Sequence, residues 1–166
     1  MSLHIRAATN DDSALVFSMM CELAAYQKLS HEVDATEASV VAALFGPQPQ
    51  VYCDIAEWDG QPVGFTLWFL NFSSFRGRHG IHLEDLFVRP AHRGHGIGKA
   101  LMVKLAQRCI DNGWTQFEWS VLNWNAPSIA FYTSMGAKVM DEWTACKLSG
   151  DALQALALRP LAVSAG

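Results

Sequence analysis

Leu83-Glu84-Asp85-Leu86-Phe87-Val88-Arg89-Pro90-Ala91-His92-Arg93-Gly94-His95-Gly96-Ile97-Gly98 is the stretch on which the reading of this chain turns. His82 to Val88 reads as a strand, and Arg89-Pro90 ends it, because proline removes a ladder donor and restricts the residue before it. From Gly98 the apolar residues Leu101, Met102, Leu105, Ala106, Cys109 and Ile110 recur at helical spacing. Lys99, Lys104, Gln107, Arg108 and Asp111 take the opposite face, as expected of a helix lying on a sheet. Between strand and helix stands Arg93-Gly94-His95-Gly96-Ile97-Gly98. Glycines there turn successive backbone N–H groups into one concavity, and the helix N-terminus adds positive potential. Such a turn suits a pyrophosphate, with Arg93 and Lys99 adding charge, although glycines alone also serve a tight strand-to-helix connection. The dinucleotide-binding spacing is not met, and no Gly-Lys-Ser/Thr follows as a nucleotide-triphosphate loop would require.

Outward from this segment, Leu3 to Ala7 is a short strand candidate. A helix runs from Asp11 and Asp12 to about Leu29, and a second from a Thr36 cap to Gly46. Val51 to Trp58 and Val63 to Phe72 are strands joined by Asp59-Gly60, a hairpin turn signal. Phe117 to Leu122 is a strand, Ala126 to Met135 a helix, and Lys138 to Leu148 a final strand pair. The expectation is one α/β (α+β) domain over 1–166, core about 3–158. Its central mixed, mostly antiparallel sheet has about six to seven strands flanked by helices.

The bulk properties exclude several classes. A chain of 166 residues that is 51% hydrophobic and carries 18 aromatic residues can bury a core, so disorder is excluded. A net charge of −4, without a run of like charge, gives no footprint for nucleic acid. Cys21, Cys53, Cys109 and Cys146 show no metal or disulfide spacing and read as reduced thiols. His79, His82, His92 and His95 lack the spacing of a helical ligand pair, so no metal is expected. Residues 1–6 have no signal-peptide pattern, and no long uncharged apolar run follows. A cytoplasmic protein that does not engage a membrane is expected.

With these residues in view, the chain resembles the GCN5-related N-acetyltransferases (GNAT). Arg93, Gly96 and Gly98 match that family's Arg/Gln-x-x-Gly-x-Gly/Ala coenzyme A motif. Within the family it is similar to the spermidine/spermine-type diamine and thialysine acetyltransferases, the likeness including 23–29, 83–99 and 121–132. The resemblance implies acetyl-CoA as cosubstrate, bound along the backbone of Leu86, Phe87 and Val88 and at Arg93, Gly94, His95, Gly96, Ile97, Gly98 and Lys99. It also implies that the sheet splays between the strands at 82–88 and 117–122, leaving backbone groups for the pantetheine arm. Asn125 and Pro127 suit helix initiation, and Ser128 and Tyr132, one turn apart, are placed toward the coenzyme.

Amide formation needs a neutral amine and a proton for the departing thiolate. Tyr132 matches the family's general acid. Glu84 matches a residue that holds the amine or draws off its proton, with an exposed strand carboxylate as the plain alternative. Adjacent strand residues point to opposite faces, so Glu84 and Asp85 are not expected to line the same pocket. Tyr26 matches a substrate contact, and Gln27 stands where the polyamine enzymes carry glutamate. Glu22, Glu32 and Asp34 read equally as surface or as site. The expected activity is direct acetyl transfer in a ternary complex to a primary amine of a small polyamine, diamine or lysine-like substrate. The alternative is a non-catalytic acyl-CoA-binding or sensor module. The resemblance further implies a homodimer.

Overall fold

The computed structural model describes residues 2–159, which divide into two compact units, one ending at Ser120 and the other beginning at Val121. The first holds the sheet. Its elements are β1 (Leu3–Ala7), α1 (Ser13–Tyr26), α2 (Glu37–Phe45), β2 (Val51–Trp58), β3 (Gln61–Ser73), β4 (Arg78–Val88), α3 (Ile97–Asp111) and β5 (Phe117–Trp119). The strands lie in the order β1-β2-β3-β4-β5. The first three pairings are antiparallel; β5 runs parallel to β4 after the α3 crossover. Parallel neighbours need such a connection, whereas β2 and β3 need only two residues. Asp59 (φ +50°) and Gly60 (φ +78°) supply the left-handed pair that a tight hairpin turn requires.

Helices cover both faces. Against α1 and α2 pack Ile55, Phe65 and Phe87 of the sheet, with Val16, Met19, Leu23, Val40 and Leu44 from the helices. On the other face Ile97 and Leu101 of α3 meet Ala56 and Val63. Burying each large apolar side chain contributes about 1.5–3 kcal/mol, so these two layers hold the sheet between them. Thr36 caps α2 reciprocally: its Oγ1 accepts from Ser39 N at 3.2 Å while its own N–H donates to Ser39 Oγ at 3.0 Å.

Two charged anchors tie elements together. Arg6 donates to both carboxylate oxygens of Asp12 at 2.7 and 2.8 Å and to Glu57 at 2.8 Å. That guanidinium holds the Asp12 carboxyl well below the usual range. Buried Asp54 on β2 accepts from Arg108 of α3 at 2.8 and 3.0 Å and from Trp68 Nε1 at 2.9 Å.

The second unit contains α4 (Ala126–Ser134) and α5 (Gly150–Ala157). Here the sequence reading needs correction. The strand pair expected at 138–148 does not form, and the sheet has five strands rather than six to seven. Val139, Met140, Trp143 and Leu148 suit strands, yet they stand exposed. Strand propensity is realised only against a partner edge, and the described residues of this unit contain none. The strand expected over 117–122 stops at Trp119, and α1 ends at Tyr26 rather than Leu29, where Lys28 turns left-handed (φ +62°). Among the described residues, no helix is long and apolar enough to cross a membrane.

Candidate active site

The site begins with an irregularity in β4. Opposite β3, Leu67 pairs with Asp85 and Trp68 pairs with Leu83, so Glu84 is an extra residue with no partner. A bulge of this kind shifts the alternation of the strand by one. Phe87, beyond it, packs on the α1/α2 face, while Leu86 and Val88 pack on the α3 face. Asp85 is therefore on the α1/α2 side, and exposed Glu84 joins it there. The expectation that these two carboxylates could not share a pocket fails, because strict alternation holds only in a regular strand.

Both line a cavity of about 400 Å³ between β4, α1 and the segment after α1. Leu23, Leu29 and Val33 give it apolar wall; Gln27, Glu32, Asp34, Glu84 and Asp85 give it polar groups, and no Lys or Arg lines it. Four carboxylates around one cavity favour a cation within it. Burial, with the neighbouring Glu84 charge adding to it, pushes the Asp85 carboxyl up to about 6. Tyr26 does not line this cavity; its ring lies under the Arg93 guanidinium, 4.7 Å from centroid to Cζ.

One edge of β4 is open. Its ladder with β5 covers only Ile81↔Phe117, His82↔Glu118 and Leu83↔Trp119, while β4 continues to Val88. Glu84 to Val88 thus have β3 on one side and, among the described residues, no paired strand on the other. This is the separation expected between the strands at 82–88 and 117–122. At its end lies the glycine turn. Gly94 (φ +83°) and Gly96 (φ +78°) are left-handed, and an ideal Cβ on either would meet nothing within 4 Å. Gly96 caps α3 with no side-chain acceptor, so the first N–H groups of a 15-residue helix face outward from an exposed turn. An open strand edge running into an uncapped helix start fits an extended arm ending in a pyrophosphate. Among the expected contacts, Ile97 has its side chain buried, leaving its backbone N–H to contribute, and Lys99 is exposed. Arg93 turns toward β4, its Nε donating to Val88 O at 2.8 Å, and His95 places Nδ1 3.1 Å from Arg93 O.

In the second unit, Asn125 is buried and its Oδ1 accepts from Ser128 N at 3.3 Å, starting α4 as expected. Tyr132 follows Ser128 by four residues, hence on the same helix face, with its ring 5.2 Å from that of Phe131.

Three features escaped the sequence reading. Asp85 reaches the cavity through the bulge. Arg89 pins the end of β4 to α1, donating to Glu22 at 2.8 Å and to Pro62 O at 3.1 Å, so Glu22 is a structural anchor. His82 lies between Glu84 and Glu118. All three depend on pairings across elements and leave no local signal.

Fold and site together define a class. The acetyltransferase (GNAT) family model matches residues 17–137, and the chain belongs to that family. It is 36% identical to thialysine N-epsilon-acetyltransferase of Sus scrofa, over 94% of this chain and 98% of that one. It is 29% identical to an L-ornithine N5-acetyltransferase of Arabidopsis thaliana, covering 94% and 88% of the two chains. Among solved structures, an integron cassette protein from the mobile metagenome of V. cholerae matches with a TM-score of 0.80 and 25% identity, over 96% and 99% of the chains. The protein is an N-acetyltransferase, and its family uses acetyl-CoA as cosubstrate.

Proposed function

We propose that this enzyme acetylates the terminal primary amine of a small cationic molecule, a diamine, polyamine or lysine-like amino acid, by direct transfer in a ternary complex. The observation that carries this reading is the cavity with four carboxylates and no basic side chain among its lining residues. Thialysine and ornithine, named for the two relatives, each end in such an amine. We take the two units as parts of one acetyltransferase domain, which the family match across residues 17–137 supports.

Acetyl-CoA, when bound, supplies the thioester acetyl group. Leu86, Phe87 and Val88 offer backbone groups to its pantetheine arm, and the turn from Arg93 to Lys99 holds the pyrophosphate. Asn125 and Ser128 at the start of α4 complete this set. Glu84 draws a proton from the substrate ammonium, whose ordinary pKa of about 10.4 leaves little free amine at neutral pH. Asp85, Gln27 and the residues after α1 hold the alkyl ammonium, Tyr26 borders the site beside Arg93, and Tyr132 protonates the leaving thiolate.

Release of free thiol from acetyl-CoA, with putrescine, spermidine, thialysine, ornithine, lysine and an aminoglycoside supplied in turn, tests the reading. Turnover with one of the first five and not with the aminoglycoside is expected. Turnover confined to the aminoglycoside would overturn the assignment.

A further inference from the structure

The Arg93 side chain folds back along β4 rather than out over the glycine turn. Its Nε donates to Val88 O at 2.8 Å, and its guanidinium lies 4.7 Å from the centre of the Tyr26 ring and 5.7 Å from that of Phe87. Phe87 belongs to the layer under α1 and α2, whereas Ile97 at the start of α3 packs on the opposite face, so this charge sits on the α1 side of the strand. Arg89 makes a parallel contact. Its Nη2 donates to Glu22 at 2.8 Å, and Glu22 stands one turn before Tyr26 on the same face of α1. Two guanidiniums from the end of β4 thus grip the helix that walls the amine cavity.

The carbonyl that Arg93 occupies belongs to the open edge. Arg89 N donates to Val63 O of β3 at 2.8 Å, and in a trans peptide the C=O points opposite to the N–H, so Val88 O faces away from β3. Val88 N–H and both backbone groups of Leu86 face the same side, because residues two apart on a strand point alike. We propose that Arg93 is a positioning residue, a register stop for the coenzyme arm on this edge, and not a ligand of the pyrophosphate. This rests on the reading of the open β4 edge as the seat of that arm.

A strand added to an edge finds equivalent partners every two residues, so an extended arm can slip by about 7 Å and keep its hydrogen bonds. With Val88 O already bonded, the edge offers Leu86 O and the Leu86 and Val88 N–H groups, which favours the register that ends there. A slip would carry the thioester away from an amine held at Glu84 and Asp85, and a misplacement of about 1 Å already costs roughly 100-fold in rate. Arginine suits this place because its planar face lies against the two rings while Nε–H reaches the carbonyl, and a lysine ammonium has no such face. Charge for the pyrophosphate is then left to the α3 N–H groups and exposed Lys99.

The test compares the full chain with Arg93→Ala and Arg93→Lys, using acetyl-CoA and acetyl-pantetheine, which lacks the pyrophosphate, as donors. Binding of 3′-phospho-ADP, the nucleotide end of coenzyme A with its pyrophosphate, is measured by calorimetry. Arg93→Ala is expected to lower kcat about tenfold with acetyl-CoA and at least as much with acetyl-pantetheine, while 3′-phospho-ADP affinity stays within about twofold. That retained affinity also shows the turn to be folded. Arg93→Lys keeps the charge but neither the planar face nor Nε–H, so its kcat stays close to that of Arg93→Ala. Weakened 3′-phospho-ADP binding, or a loss confined to acetyl-CoA and recovered by lysine, overturns the proposal in favour of a phosphate ligand. Parent rates with both donors in Arg93→Ala overturn it outright. Hydrogen exchange tests the premise separately: coenzyme A should protect the Leu86 and Val88 amides of the parent. If it protects neither, the reading of the edge falls, and the register stop with it.

Discussion

Replacing Asp85 with asparagine removes a carboxylate whose ionisation is opposed by burial and by Glu84, so the change should stabilise the substrate-free protein in a pH-dependent way. The folded carboxyl ionises at about 6, against 3.8 for an unhindered aspartate. Below about pH 4 both folded and unfolded chains carry the proton and Asp85 contributes nothing. Between about 4 and 6 the unfolded chain releases it while the folded chain keeps it, so stability falls as pH rises; above about 6 the loss is complete. A shift of roughly two units at 1.36 kcal/mol each sets a ceiling of about 3 kcal/mol. Asparagine mimics the protonated form in shape and charge. Denaturant unfolding at intervals from pH 4 to 8 should therefore show Asp85→Asn matching the parent at the acid end and exceeding it by about 2 kcal/mol at pH 7 to 8. Saturating putrescine should narrow the difference, since an ammonium in the cavity favours the ionised Asp85. Parallel stability curves across the whole range would refute both the shared cavity and its electrostatics.

Tyr132→Phe removes only a hydroxyl, so kcat should fall about 100-fold while acetyl-CoA affinity, measured by calorimetry, changes little. Gly96→Ala should cost about 1–2 kcal/mol of stability from its left-handed backbone, and should weaken acetyl-CoA binding because the turn that aims the α3 N–H groups is displaced. Arg108→Ala strips buried Asp54 of its guanidinium partner while Trp68 Nε1 still donates to it, and should destabilise by about 3 kcal/mol in thermal or denaturant unfolding, without raising KM for the amine.

Whatever a short window of chain controls was legible in the sequence. The Asp59-Gly60 hairpin, the Thr36 and Asn125 caps, the amphipathic pattern of α3 and the glycines before it each act through their own φ and neighbours within four residues. They hold in the structure with boundaries shifted by a few residues. The same locality made the glycine turn from Arg93 to Lys99 readable, and with it the family. The segment 138–148 shows the limit: its side chains suit a strand, but a ladder needs a second edge, and propensity does not provide one.

What only the tertiary structure decided lies around Glu84. The bulge that turns Glu84 and Asp85 into one cavity exists because β3 pairs with Asp85 and Leu83 and skips the residue between them. No sequence spacing records a skipped partner. The Glu22–Arg89 clamp spans 67 residues, and the line from Glu84 through His82 to Glu118 joins two strands across the α3 crossover. The sequence by itself determined that there would be a glycine turn between a strand and a helix, with carboxylates on that strand. Which carboxylates line one cavity follows from strand register, a property of pairs of segments rather than of either one alone.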